Sequence, residues 1–308
     1  MTFQNPTWRF IGWNGVSFAV PRNWSPGRIG ARDLLLESEA GPVMEIKWGP
    51  VRGRFSSRRH LRRIARQVSR NAAVFRERPL SPEWRKDLGW VEASGFEWKG
   101  KEQRAVGALL FCPVCRTASL MQFFYCNGGA DIEARAARVL ASFRDHREDG
   151  RCLWALYDIS AVLPGHFRRE RHRFEAGRFV LEFRDRRCRL TLYRWAPAGV
   201  LLKGKDLGAF AQAAAAGAGL EFRPAAVAGH AGVEGFDPRP GGAPGRFKAW
   251  LKMASFRAVR VWHVERRNRI LGMRLEARRP IAASELRALC DGYGMDDEAE
   301  NEAACEPT

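Results

Sequence analysis

Gly15-Val16-Ser17-Phe18-Ala19-Val20-Pro21-Arg22-Asn23-Trp24 is the stretch from which the architecture can be read. A short apolar run ends at a proline, which has no N–H to give a ladder and so closes a strand. An aromatic follows three residues later. The same order returns as Ile159-Ser160-Ala161-Val162-Leu163-Pro164-Gly165-His166-Phe167. A signal that recurs with its neighbours in sequence marks an internal repeat.

Moving outward, each copy continues with two β-rich runs around a turn. In the first copy these are Asp33–Ser38 and Val43–Trp48, with Glu39-Ala40-Gly41-Pro42 between them; in the second they are Phe179–Phe183 and Arg189–Trp195, with Arg184-Asp185-Arg186-Arg187 at the tip. The later run of each pair alternates apolar and polar residues, as a strand with one buried face requires. Both finish in Trp-x-Pro, at Trp48-Gly49-Pro50 and Trp195-Ala196-Pro197. Helices are expected over about residues 56–73 and 204–217, then matching Gly-Phe-acid triplets at Gly95-Phe96-Glu97 and Gly235-Phe236-Asp237. A second hairpin follows, Ala105–Phe111 with Ala118–Cys126 and Ala258–Val264 with Ile270–Ala277, and each copy closes on a helix, Asp131–Phe143 and Ala283–Tyr293.

The expected fold class is therefore α+β: two tandem repeats, each an antiparallel sheet packed with helices. The repeats are assigned to residues 1–148 and 151–294, divided where Glu148-Asp149-Gly150-Arg151 replaces the apolar pattern with charge and glycine. The Pro/Gly-rich piece Asp237–Gly245 reads as a mobile loop. Residues 295–308 carry six acids and no base, the composition of a disordered acidic tail.

The pattern Gly-Val-x-Phe-x-Val-Pro-x-x-Trp from Gly15 to Trp24, followed by hairpin, helix, strands and closing helix, resembles the PsbP-like superfamily. That group includes the oxygen-evolving PsbP proteins, the Ran-binding Mog proteins and the bacterial DcrB lipoproteins. The resemblance covers most of each half and implies a layered sandwich with a binding or scaffolding role; it implies no catalytic residues. Two copies stand here where those families usually have one, and neither a lipobox nor a transit peptide is present.

The chain has 308 residues, 45% of them apolar, and eleven tryptophans, which is ample for two separate cores. Its formal net charge is +18, with arginine far outnumbering lysine. Such a field favours acidic proteins, nucleic acid or phospholipid head groups. The same arginine- and alanine-rich composition also arises in GC-rich genomes without any ligand. The beginning, Met1-Thr2-Phe3-Gln4-Asn5-Pro6-Thr7-Trp8, lacks the basic and apolar regions of a signal peptide. No apolar run approaches the ~20 residues of a membrane span, and the alanine-rich Phe210–Leu220 stretch is expected to bury little. Seven irregularly spaced cysteines do not form a secreted disulfide framework, so the cytoplasm is the expected compartment. Nucleophile elbow, Walker loop, H-E-x-x-H and dinucleotide fingerprints are all missing, and a non-enzymatic binding protein is the expectation.

Three local features bear on what is bound. Arg52–Arg70 holds eight arginines, His60 and no acid. On a helix Leu61, Ile64, Ala65, Val68 and Ala72 share one face, while Arg58, Arg59, Arg62, Arg63, Arg66 and Arg70 point away from it. Ser56 and Ser57 are candidate caps. Guanidinium forks suit carboxylates and phosphates, so these six arginines are the expected site for an acidic protein partner, with non-specific nucleic-acid binding as the alternative. A second basic cluster, His166–Phe174, is interrupted by Glu170, and its Phe167 and Phe174 are assigned to the core rather than to base stacking. Finally, Cys112-Pro113-Val114-Cys115 looks like half of a zinc knuckle in a hairpin turn. A closed zinc site needs four ligands, and no second C-x-x-C exists. Cys126 falls at the far end of the next strand, and the second copy has Glu265-Arg266-Arg267-Asn268 at the matching turn. No cofactor is expected, with zinc at Cys112 and Cys115 the open alternative.

Overall fold

The computed structural model describes residues 7–69, 74–125, 132–216, 220–237 and 256–296. The chain divides into two compact units, one from Met1–Asp158 with Asp296–Thr308, the other Ile159–Met295. The loop expected at 237–245 lies beyond Asp237 outside the described residues, as do 297–308 of the expected tail and Arg70.

In chain order the first unit contains β1 (Trp8–Trp13), β2 (Val16–Pro21), β3 (Ser25–Ile29), β4 (Asp33–Ser38), β5 (Gly41–Pro50), α1 (Ser57–Ser69), β6 (Val74–Arg78), α2 (Pro82–Arg85), β7 (Glu92–Lys99), β8 (Arg104–Phe111), β9 (Thr117–Phe124), α3 (Ile132–Ser142) and β10 (Arg151–Leu156). Its main sheet has seven antiparallel strands in the order β3-β4-β5-β9-β8-β7-β6. Beside it, β1 pairs antiparallel with β2 on one side and β10 on the other. Pro21 ends β2 and Pro26 sits in the edge strand β3, where a missing N–H costs no ladder bond. Strand β8 is buried along Ala105–Phe111. Both of its faces are covered, which is why it reads as a continuous apolar run rather than an alternation. Leu61 of α1 packs on Phe96 and Leu109, forming one core cluster. Helix α3 buries Ile132, Ala136, Val139 and Leu140 and lies against β2 and β9.

The second unit contains β11 (Ile159–Pro164), β12 (Arg168–Glu175), β13 (Arg178–Arg184), β14 (Cys188–Trp195), α4 (Ala198–Leu201), α5 (Leu207–Ala211), β15 (Phe222–Val227), β16 (His230–Asp237), β17 (Phe256–Val264), β18 (Arg269–Ala277), α6 (Ala283–Asp291) and β19 (Tyr293–Met295). Its seven-stranded antiparallel sheet runs β12-β13-β14-β18-β17-β16-β15, and β11 pairs with β19. The helix expected over 204–217 is present as α5, Leu207–Ala211, continued by a wider π turn, Gln212–Ala216. Two expectations are corrected here. The closing helix stops at Asp291, and Tyr293 enters a strand instead, its hydroxyl donating to the Tyr193 carbonyl at 2.9 Å. The alanine-rich stretch does bury surface: Phe210, Ala211, Ala215 and Leu220 pack with Trp195, Val259, Val261 and Ile270. Small side chains let that turn approach the sheet closely, and Phe210 meets Trp195 edge-on at 5.3 Å.

The basic run Arg168–Glu175 forms β12, an edge strand with a bulge between Arg169 and Arg171. Charge and irregularity on an edge block pairing with other chains, which accounts for much of this cluster.

Candidate functional site

The arginine helix forms where its pattern places it. Ser56 Oγ accepts from the Arg59 N–H at 3.4 Å, and the Ser56 carbonyl accepts from the His60 N–H at 3.2 Å. These contacts start α1 in the manner of an N-cap. Ahead of it Phe55 stacks on Phe111, with ring centroids 4.1 Å apart. Leu61 is buried, Ile64, Ala65 and Val68 are half-buried, and Arg58, Arg59, Arg62, Arg63 and Arg66 are exposed. The helix has no acid in its first turn. None of the five arginines forms an ion pair with another described residue.

Several arginines elsewhere in the chain are matched. Arg28 reaches Glu45 at 2.5 Å and Asp33 at 3.2 Å. Arg78 reaches Glu133 at 3.0 Å; that hydrogen bond raises the guanidinium's pKa and holds the Glu133 carboxyl below its ordinary range. Tyr125 donates to Glu133 at 2.8 Å, and burial pushes this phenol up to about 12. In the second unit Glu234 takes Arg223 at 2.9 Å and Arg260 at 3.1 Å.

A concave basic feature went unnoticed in the sequence. A cleft of about 850 Å³ in the second unit is lined by Arg168, Arg184, Arg186, Arg187 and Arg279, together with Glu170, Asp185 and Glu285. The acids neutralise part of it: Arg184 pairs with Glu170 at 3.3 Å and Arg279 with Glu285 at 3.6 Å. Asp185 Oδ1 accepts from the Cys188 N–H at 2.6 Å, which fixes the hairpin tip. Phe167 is buried and Phe174 packs edge-on against Phe179, so neither presents a face for a base.

The C-x-x-C turn acquires two companions. Cys112 follows β8, Cys115 lies in the turn before β9, and Asp145 and His146 follow α3. One ligand atom from each of the four lies within 4.8 Å of the others. The Cys115 thiol donates to Asp145 Oδ2 at 3.1 Å, His146 Nδ1 is 2.6 Å from Asp145 Oδ1, and Cys112 Sγ is 3.9 Å from His146 Nδ1. Cys112 is 1% exposed and the Asp145 side chain 2%. Burial, with the Asp145 carboxylate adding to it, pushes the Cys115 thiol up to about 12. Two sulfurs, one imidazole and one carboxylate are a donor set that could hold a metal. Asp145-His146, the donor pair just beyond α3, carries no cysteine and so gives no zinc-knuckle signal in the sequence. Cys126, the alternative ligand it weighed, lies outside the described residues.

No family model matches the chain, and no curated protein matches it significantly in sequence. Among solved structures it is similar to the Ran-binding protein Mog1p of Saccharomyces cerevisiae, at 7% identity over 46% of this chain and 96% of that one, with a TM-score of 0.32. It is also similar to a protein of Bacteroides thetaiotaomicron, at 14% identity over 51% of this chain and 53% of that one, with a TM-score of 0.30. With scores this low, the α+β, mostly antiparallel character rests on the strand order described above. No helix among the described residues is long and apolar enough to cross a membrane.

Proposed function

We propose that this chain is a non-enzymatic binding protein that docks an acidic partner protein on the arginine face of α1. The observation that carries this reading is the concentration of five exposed arginines, none ion-paired to another described residue, on a single helix. Arg28, Arg78, Arg223 and Arg260 meet carboxylates within the fold, whereas Arg58, Arg59, Arg62, Arg63 and Arg66 stand together on one exposed helix face with no acid among the described residues beside them. Like charges at i,i+4 weaken a helix, so the face is held against the helix's own stability and its use lies outside the chain. Guanidinium forks pair bidentately with carboxylates, and a field of one sign speeds encounter with a partner of the other.

The same proposal treats the two units as copies of one ancestral unit. The identical strand order of the two seven-stranded sheets supports this. So does a left-handed residue at the corresponding turn of each, Arg116 with φ 56° and Asn268 with φ 52°. Because the basic face occurs on α1 and not on the short α4 and α5, docking is assigned to the first copy. A reducing compartment, the cytoplasm, suits five described cysteines that are all free.

The test is binding of a labelled glutamate-rich peptide and, in parallel, a labelled random oligonucleotide, each titrated across salt. Both titrations are repeated with Arg58, Arg59, Arg62 and Arg63 changed to glutamine. Salt-sensitive peptide binding that the variant loses is the expected result. Binding of the oligonucleotide alone, lost in the same variant, would replace the acidic partner with nucleic acid. Binding of neither at low salt would remove the docking role from this face.

A further inference from the structure

We propose that Cys112, Cys115, Asp145 and His146 form a tetrahedral zinc site that clamps the β8–β9 turn to the segment following α3. In a four-coordinate zinc site with metal–sulfur bonds of about 2.3 Å and metal–nitrogen or metal–oxygen bonds of about 2.0–2.1 Å, neighbouring ligand atoms lie about 3.3–3.8 Å apart. Here the Cys115 sulfur is 3.1 Å from Asp145 Oδ2 and the Cys112 sulfur 3.9 Å from His146 Nδ1, with every pair inside 4.8 Å. The four donors face one another in one cluster, and the pair that must part to seat an ion is His146 Nδ1 and Asp145 Oδ1, 2.6 Å apart here.

Burial gives the second argument. A carboxylate whose side chain is 2% exposed is costly unless a positive charge or several donors attend it. The partners seen for Asp145 are one thiol and one imidazole. His146 offers charge only when protonated, and a divalent cation supplies it while the imidazole stays neutral. On binding, both thiols give their protons to solvent and the neutral imidazole lends the Nδ1 lone pair. Two thiolates, one carboxylate and a divalent ion leave the site with a net charge of −1. Two sulfur donors select zinc over calcium or magnesium, which take oxygen.

The scaffold around the ligands is rigid. The Cys112 N–H donates to the Thr117 carbonyl at 3.0 Å and closes the turn. Arg144, next to Asp145, exchanges both backbone hydrogen bonds with Ser17 of β2 at 2.8 Å. The Val51 N–H donates to the Arg116 carbonyl at 2.8 Å, and the Arg116 guanidinium donates to the Gly53 carbonyl. The ion therefore ties the main sheet of the first unit to β2 and steadies the lead into α1. It acts as a structural staple with four protein ligands and no open position.

The experiment is a cobalt titration of the full-length, reduced chain without oxygen, followed by zinc displacement. A single tight equivalent is expected, with the strong visible bands of tetrahedral cobalt and thiolate-to-cobalt charge transfer in the near ultraviolet, both erased by zinc. Cys115→Ser and His146→Gln should each weaken cobalt binding beyond the about 10–100-fold that outer-shell changes cost, while Cys188→Ser in the second unit should leave it unchanged. The half-exposed Cys115 and exposed His146 are chosen so that the variants fold, and the wild-type spectrum stands without them. A weak six-coordinate spectrum, equal binding by wild type and Cys115→Ser, or a metal-free purified chain with a Cys112–Cys115 disulfide would each overturn the site.

Discussion

Changing Arg58, Arg59, Arg62 and Arg63 together to glutamine should stabilise α1 even as it removes the proposed docking face. Arg58 and Arg59 lie in the first turn, where a cation opposes the helix dipole by about 0.3–1 kcal/mol each at low ionic strength. The pairs Arg58–Arg62, Arg59–Arg63 and Arg62–Arg66 stand at i,i+4, where like charges cost about 0.2–0.5 kcal/mol each. Glutamine matches arginine closely in helix propensity, so the exchange removes charge and little else. Taking the lower ends because these side chains are exposed, the relief is about 1–2 kcal/mol, which is about 5–30-fold in an equilibrium. Hydrogen exchange of the α1 amides is the suitable assay, since two units need not unfold in one transition. Protection should rise by that factor at low salt and the gain should shrink in ~1 M salt, where screening acts within about 3 Å. A variant with weaker protection at low salt would mean that the arginines have stabilising partners within the chain, and the argument from unmatched charge would fall.

Three further outcomes follow from the packing and the charges. Leu61→Ala, at the only buried side chain of α1, should cost about 2–5 kcal/mol, read as loss of α1 protection ahead of the rest of its unit. Glu133 has a folded pKa below the ordinary 4.5, chiefly through its hydrogen bond from Arg78. Its stabilisation is thus present at neutral pH and is lost as pH falls from about 4.5 through the lowered value. Glu133→Gln should lower the urea midpoint modestly at about pH 7 and not at about pH 3, with an effect under about 1 kcal/mol because the carboxylate is 41% exposed; an equal loss at both pH values would refute the assignment. Gly107→Ala would drive a Cβ into the Phe96 ring and the Met121 carbonyl and should cost about 1–3 kcal/mol, whereas Gly49→Ala, with open space around it, should be close to neutral by thermal melting.

Much of the fold was legible because the signals were local. Proline at Pro21, the alternation in Val43–Trp48 and the apolar run of β8 each state their role within a few residues. The edge strands were harder: β12 is written mostly in charge, and β3 and β15 contain prolines, so their identity depends on which strand they flank. In the helix expected over 204–217, the late start at Leu207 and the π turn were hidden for a related reason. Lys203–Gly219 has strong helix formers, yet Gly204 takes φ 71° and Asp206 caps a new start, its carboxylate accepting from the Ala209 N–H at 2.7 Å. Close packing on Trp195 and Val261 then decides the path, a tertiary preference that outweighs propensity.

The two proposed sites divide along the same line. An amphipathic helix states its exposed face in its own sequence, so the arginines of α1 could be named beforehand. A metal centre is defined by convergence, and Cys115 and Asp145 are 30 residues apart, brought to 3.1 Å because α3 returns along β9 and its exit pairs with Ser17. Counting cysteines was the wrong search: once a C-x-x-C sits in a rigid hairpin turn, the missing donors must come from whichever chain end the fold delivers to that turn. Here that end is the exit of α3, where the sequence reads Phe143-Arg144-Asp145-His146. If the two units are copies, as proposed, the second has Glu265-Arg266-Arg267-Asn268 at the corresponding turn, with no thiol, and β19 follows its last helix. On the two proposals together, the first unit holds this corner with metal and the second holds its own with the β11–β19 pair. Chelation should then loosen the first unit, raising exchange at Val51–Gly53 and in α1, while the β11–β19 pair keeps its protection. Equal loosening of both would show the effect to be general rather than the loss of this site.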